Sequence, residues 1–144
     1  MRVPGFRLGT TLVCVALAAC SGSDPGGPNG PLSGDWIYDL QDVRGTTDSS
    51  VCNFTGIHVQ LKQRGGVLSG SASGGSGVCM RENGDPLPPI ALRPAAIRGE
   101  VAGDHVAFQI GDFLQNQGIR SAGQVTGTGR FRPDVEGVFT LRRP

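Results

Sequence analysis

The stretch of sequence that decides the fold is IRGEVAGDHVAFQI, residues 97–110. Its apolar residues alternate with polar or small ones on both sides of Gly103-Asp104, which is the pattern of two antiparallel strands joined by a two-residue turn. With that turn, three pairs lie opposite each other on one face: Val101 with Val106, Gly99 with Phe108, and Ile97 with Ile110. A shift of one residue would scatter the large apolar side chains over both faces, so the sequence predicts a β-hairpin with a single register.

A second hairpin is predicted over residues 55–73, with a turn around Arg64-Gly65-Gly66. Further short runs between Gly, Pro and Asp complete the set of strands: 34–40, 89–93, 120–131 and 135–142. No stretch keeps a helical spacing of apolar residues for three turns. The sequence therefore predicts an all-β domain of about eight strands.

The predicted architecture is an antiparallel up-and-down β-barrel. Closure of about eight strands into a ring removes exposed sheet edges, and a lumen of that size is either filled by side chains or holds one small ligand. A seven-stranded β-sandwich is the alternative.

The N-terminus has the three parts of an export signal: basic Arg2 and Arg7, an apolar run over 10–19, and small residues before Cys20. The run is too short to span a bilayer, which needs ~20 apolar residues. Its ending, Leu17-Ala18-Ala19-Cys20, resembles the lipobox of bacterial lipoproteins. The resemblance implies cleavage before Cys20 and lipidation of its sulfur; an ordinary secretory signal with a chance cysteine is the alternative.

This resemblance divides the chain into three parts. A signal peptide covers 1–19, the lipidated Cys20 and a flexible tether rich in Gly, Pro and Ser cover 20–31, and the β-barrel domain covers 32–144. The protein is then expected in the bacterial cell envelope, held on a membrane by its lipid. In the sorting rule of enteric bacteria, Asp directly after the lipidated cysteine favours the inner membrane; by resemblance to that rule, Ser21 points to the outer membrane.

Two further cysteines, Cys52 and Cys79, lie 13 residues before and 14 residues after Gly65, on either side of the second hairpin. An exported protein meets oxidising conditions, and these cysteines remain once Cys20 is lipidated. We expect a disulfide that closes the open end of the hairpin and stabilises the fold by ~3 to 4 kcal/mol. A redox or metal pair would need clustered spacing with other ligands, which the sequence lacks.

The two ends of the predicted domain carry a further pattern. Gly34-x-Trp36 lies on the first strand and Arg142 on the last, which resembles the calycin superfamily of lipocalins, fatty-acid-binding proteins and avidins. The resemblance implies that Trp36 lies in the closed end of the barrel with Arg142 across its indole; Arg143 takes that place if the register differs. A tryptophan beside a glycine is also an ordinary core residue.

Composition and motifs exclude several functions. The formal net charge is +1, and the basic residues are spread singly apart from Arg142-Arg143, which excludes a nucleic-acid partner. His58 and His105 lie in alternating strands without an HExxH, GxSxG or P-loop motif nearby. We therefore predict no catalytic site, no metal site and no cofactor, and we expect that the protein is not an enzyme.

Three functions remain. The leading expectation is a small apolar ligand in the lumen, lined by Trp36, Tyr38, Ile97, Val101, Val106, Phe108 and Ile110. The second is binding or inhibition of an envelope protein through the tether or the loops 41–50 and 81–89; bacterial periplasmic protease inhibitors are similar small barrels with one disulfide. The third is a structural envelope lipoprotein without a ligand.

Overall fold

The computed structural model describes residues 30–45 and 49–144, and the regular secondary structure there is entirely β. Ten strands follow along the chain: β1 (Gly34–Gly45), β2 (Ser50–Arg64), β3 (Val67–Ser73), β4 (Ser76–Arg81), β5 (Ile90–Ala91), β6 (Ala95–Ala102), β7 (His105–Ile110), β8 (Leu114–Ser121), β9 (Gln124–Arg132) and β10 (Val135–Arg142). The predicted signal peptide, Cys20 and most of the predicted tether lie outside the described residues.

Eight of these strands form a closed antiparallel barrel. Neighbours follow in the order β1-β10-β9-β8-β7-β6-β3-β2, and β2 pairs back onto β1 to complete the ring. The predicted barrel is therefore confirmed, and the closing pair excludes the sandwich. All the strands of the ring lie within the described part of residues 30–144.

The predicted register of the 97–110 hairpin and the predicted turn of the 55–73 hairpin are confirmed. In β6–β7 the opposed pairs are those expected from residues 97–110, including Gly99 opposite Phe108. In β2–β3, Arg64 pairs with Val67 across the turn Gly65-Gly66. Gly65 has a φ of 59°, a left-handed conformation that glycine adopts without a steric penalty.

The strand prediction is wrong between residues 111 and 131. One strand was expected over 120–131, whereas the chain forms two, β8 and β9, joined by a turn at Ala122-Gly123. Residues 89–93 contribute only the short β5, which pairs with β4 and lies outside the ring. The ring still has eight strands, because β8 takes the place that was predicted for residues 89–93. Ala122 has a φ of 50°, which alanine rarely adopts, so the first position of the turn lacks the glycine, asparagine or aspartate that is usual there.

β4 and β5 form a ribbon that extends the barrel wall. β2 pairs with two strands in succession, its second half with β3 and its first half with β4. The change occurs at Gly74 and Gly75, whose φ angles of 68° and 78° bend the chain between β3 and β4. The predicted disulfide is confirmed, because Cys52 and Cys79 are bonded and directly opposed in the β2–β4 pair. It therefore fixes the ribbon to the barrel wall.

Three aromatic rings fill the middle of the lumen. Tyr38 stacks on Phe139 with 5.6 Å between ring centroids, and Phe108 meets both rings edge-on, at 6.2 and 5.5 Å. Glycines on facing strands make the space: a Cβ on Gly118 would lie 2.8 Å from the Phe139 ring, and one on Gly99 would lie 2.6 Å from the Phe108 Cβ. The lumen is therefore filled by side chains.

The two ends of the barrel differ. At the closed end the described chain begins, the Gly30 carbonyl accepts a hydrogen bond from Arg120, and Leu32 is buried in the core. The turns that follow β2, β6 and β8 lie at this end. The opposite end, which we call the open end, carries the turn between β7 and β8 and the β4–β5 ribbon.

Candidate functional site

Trp36 lies at the closed end, as the resemblance implied. Its indole N–H donates a hydrogen bond to the Leu32 carbonyl at 2.7 Å. The arginine across the ring is Arg143, with its guanidinium carbon 4.0 Å from the ring centroid, so the assignment of Arg142 is wrong and the alternative is right. Gly34 makes room for this contact, because a Cβ there would lie 2.7 Å from the Arg143 Nη1.

Arg142 has a different place because side chains alternate across a strand. Leu141 points into the core, so Arg142 points outward, and it is paired with Ile37 in the β1–β10 ladder. Its Nη2 lies 3.4 Å from the Asp39 Oδ2, and the Asp39 Oδ1 accepts the backbone N–H of Gly56. Arg142 therefore supports the outer wall of the barrel.

The residues expected to line a ligand cavity all belong to the core. Six of the seven are buried, and Val101 packs against the same cluster at partial exposure. The six are Trp36, Tyr38, Ile97, Val106, Phe108 and Ile110. These side chains pack together, so in this conformation they do not enclose a space of ligand size.

Asn116 is a buried polar residue that sequence reasoning missed. It is 1% exposed, and its Oδ1 accepts a hydrogen bond from the Tyr38 hydroxyl at 2.7 Å. Within the described residues its Nδ2 has no hydrogen-bond partner. Burial raises the pKa of Tyr38 well above its usual range, because the phenolate form would lose its hydration. Asn116 lies two residues after Leu114, and in a strand this spacing places both side chains on the same face. The sequence indicates the burial of Asn116 only if residues 114–121 are recognised as a strand.

A small cavity remains at the open end of the lumen. Its volume is about 40 Å³, whereas sites for drug-sized ligands usually measure ~300 to 1,000 Å³. In this conformation it can hold a group no larger than a side chain. It is lined by Tyr38, Leu40, Phe54, Ile57, Ala72, Ser73, Gly74, Leu92, Arg93, Ile110, Phe113, Leu114 and Phe131.

Three phenylalanines form an aromatic row beside this cavity. Phe54 and Phe131 have ring centroids 5.6 Å apart, and Phe113 stacks on Phe131 at 6.2 Å with the rings nearly parallel. Phe113 is 52% exposed although it lies in this row. Its turn is tight, since a Cβ on Gly111 would lie 2.7 Å from the Phe113 ring. The open end therefore presents an aromatic ring to solvent.

Exposed apolar residues are concentrated around the same end. Of the large apolar residues with high exposure in the described chain, four lie at the open end: Val78, Met80, Ile90 and Phe113. The first three belong to the disulfide-fixed ribbon. Of the two loops expected to contact a partner, 81–89 joins β4 to β5 here, whereas most of 41–50 is strand.

Shallow depressions also lie on the outer wall. One of about 350 Å³ crosses β6 to β9 and includes Glu100, His105 and Gln117, and one of about 590 Å³ lies beside Asp42, Arg44 and Arg130. Both are open to solvent and are not enclosed by the protein. They lack the enclosed apolar surface that small-molecule sites usually have.

The two histidines are exposed, and neither lines the open-end cavity. His58 faces outward from β2, and the His105 Nε2 is 3.6 Å from the Asp104 Oδ1 at a closed-end turn. Among residues 30–45 and 49–144, no group of three or more His, Cys, Asp or Glu side chains is placed to hold a metal ion. In the same part of the chain, no helix is long and apolar enough to cross a membrane.

Comparison with known proteins finds no matching family model, no matching curated protein and no matching solved structure.

Proposed function

We propose that the chain is an exported lipoprotein, anchored through Cys20 in the bacterial envelope, and that its calycin-like barrel binds another envelope protein by its open end. The N-terminal Leu17-Ala18-Ala19-Cys20 supports the anchor, and Ser21 supports the outer membrane as its location. The anchor, the location and the partner all belong to this proposal.

One observation favours protein binding over a lipid-like ligand in the lumen. Tyr38, Phe108 and Phe139 fill the lumen, while Phe113 and Ile90 remain exposed at its open end. Apolar side chains that are exposed together at one end of a molecule are typical of protein contact sites. The filled lumen therefore makes partner binding the better supported function.

The placement of the chain ends supports the same proposal. The described chain begins at Gly30, which Arg120 holds at the closed end. A lipid on Cys20 would therefore connect to the closed end. The open end then faces away from the attachment of the tether and is accessible to a partner.

A small apolar ligand is a second candidate, favoured by the cavity of about 40 Å³ at the open end. Native mass spectrometry of residues 30–144, before and after denaturation, tests this candidate. A loss of mass on denaturation identifies a ligand that copurifies with the barrel. An unchanged, disulfide-bonded mass removes this candidate.

Site-specific photocross-linking in cells tests the proposed partner. A photoreactive phenylalanine analogue replaces Phe113 in the mature lipoprotein, and the matched control replaces Val138, which is 59% exposed on the outer wall. We expect a discrete cross-linked protein from position 113 and none from position 138. Equal labelling from both positions, or no product from position 113, would contradict docking by the open end.

A further inference from the structure

The cavity at the open end fits one side chain. Its volume of about 40 Å³ is far below that of a lipid site, and Leu92, Phe113 and Phe131 are part of its wall. An apolar side chain from a partner would lose water where it contacts this lining, which favours binding by ~25 cal/mol per Å² of buried apolar surface. The space is therefore suited to a single apolar residue.

Arg93 is the one charged residue in the lining of this cavity. It is exposed, and within the described residues its guanidinium makes no hydrogen bond and no ion pair. Two arginines of the barrel wall near the open end are paired: Arg44 with Asp42, and Arg130 with Glu136 at 2.8 Å. A guanidinium without a protein partner, beside an apolar cavity, is complementary to a carboxylate attached to an apolar group.

The short strand β5 ends two residues before Arg93 in the chain. It pairs with β4 on one side, and in the described part of the chain no strand pairs with its other edge. Free backbone N–H and C=O groups on a strand edge can pair with an extended peptide. A peptide along β5 would bring its end to Leu92 and Arg93.

We propose that the open end binds the C-terminal residue of a partner protein, with its apolar side chain in the cavity and its α-carboxylate on Arg93. This inference rests on the proposed function and specifies which segment of the partner is recognised. It requires two properties of that segment, an apolar last residue and a free carboxylate. A short fatty acid carries the same carboxylate but lacks peptide groups that could pair with β5.

Titration of ¹⁵N-labelled residues 30–144, followed by NMR, tests the inference. The probe is the acetylated peptide Gly-Ser-Gly-Ser-Leu with a free C-terminus. Its comparisons are the same peptide as the C-terminal amide, the peptide ending in Gly, and sodium hexanoate. We expect the free acid to shift the Arg93 side-chain and Phe113 backbone resonances, and the amide to bind roughly ten- to hundredfold more weakly.

Substitutions of Arg93 provide a second test of the inference. Arg93→Gln should weaken the free acid as much as amidation does and leave the amide unchanged, and Arg93→Lys should restore part of the affinity. Arg98→Gln is the matched control, because Arg98 is exposed on the outer wall and its guanidinium also makes no ion pair within the described residues. This control should bind like the unmodified barrel.

Three outcomes would overturn the inference: equal binding of acid and amide, no effect of Arg93→Gln, or tighter binding of hexanoate than of the peptide. The last outcome would assign the site to a small molecule. In each case, a cross-linked protein from position 113 would still support the proposed function. The failure of the two proposals can therefore be told apart.

Discussion

At the scale of one residue, Tyr38 combines complete burial with a single hydrogen bond to Asn116. The fold favours the neutral phenol, because burial raises its pKa above the value of the unfolded chain. Below pH ~10 both states are neutral and stability does not depend on this group. Above pH ~10 the unfolded chain ionises first, so the free energy of unfolding should fall by roughly 1.4 kcal/mol per pH unit.

The chain has one tyrosine, so its ultraviolet phenolate absorbance reports on Tyr38 alone. We expect this absorbance to appear only together with the loss of β-sheet circular dichroism during alkaline titration. Tyr38→Phe should remove the part of the pH dependence that comes from this group. A phenolate that forms near pH ~10 while the circular dichroism is retained would contradict the burial of the hydroxyl.

Single residues of the barrel ends and core were predicted from sequence with unequal success. Trp36 and Gly34 were placed correctly, because their spacing lies within one strand. The sequence predicts Arg142 in place of Arg143, because Arg143 lies one residue beyond the end of β10, where the alternation of the strand is no longer a guide. Asn116 was missed because its burial depends on Tyr38, which is 78 positions away in the chain.

At the scale of the strands, glycines allow neighbouring strands of the barrel to lie close together. A Cβ on Gly127 in β9 would lie 2.0 Å from the Gln117 carbonyl oxygen and 2.4 Å from the Gly118 Cα in β8. Gly127→Ala should therefore lower the free energy of unfolding by about 3 kcal/mol, measured by urea denaturation. Gly66→Ala, in the β2–β3 turn, should cost less than about 1 kcal/mol, because the nearest atom lies at 3.2 Å. Equal costs would contradict close packing of β8 on β9.

The strands that sequence reasoning found are those with strong alternation of apolar residues. Residues 97–110 define their own register, and the structure has the same three opposed pairs. β8 was missed because its sequence, LQNQGIRS, has few large apolar residues and ends at an Ala-Gly turn. The position of β8 is determined by its pairing with β7 and β9 on either side, and local sequence patterns do not encode such pairing.

At the scale of the whole molecule, both ends of the barrel sequence meet at the closed end. The Arg143 Nη2 donates to the Ser33 carbonyl at 3.1 Å, and Trp36 donates to Leu32. The end of the chain therefore covers the residues that lead into β1. At the opposite, open end, Phe113 stays 52% exposed.

The closed end gives the last prediction, because Trp36 is the single tryptophan of the chain and its fluorescence reports on this end alone. Arg143→Ala removes the guanidinium from the indole and its hydrogen bonds to the chain start, and it should lower the free energy of unfolding by about 1 to 2 kcal/mol. It should also increase acrylamide quenching of Trp36. Arg142→Ala is the matched control; it removes only a surface ion pair with Asp39 and should cost less than about 1 kcal/mol, with quenching unchanged. Greater quenching in the Arg142 variant would restore Arg142 as the residue across the indole.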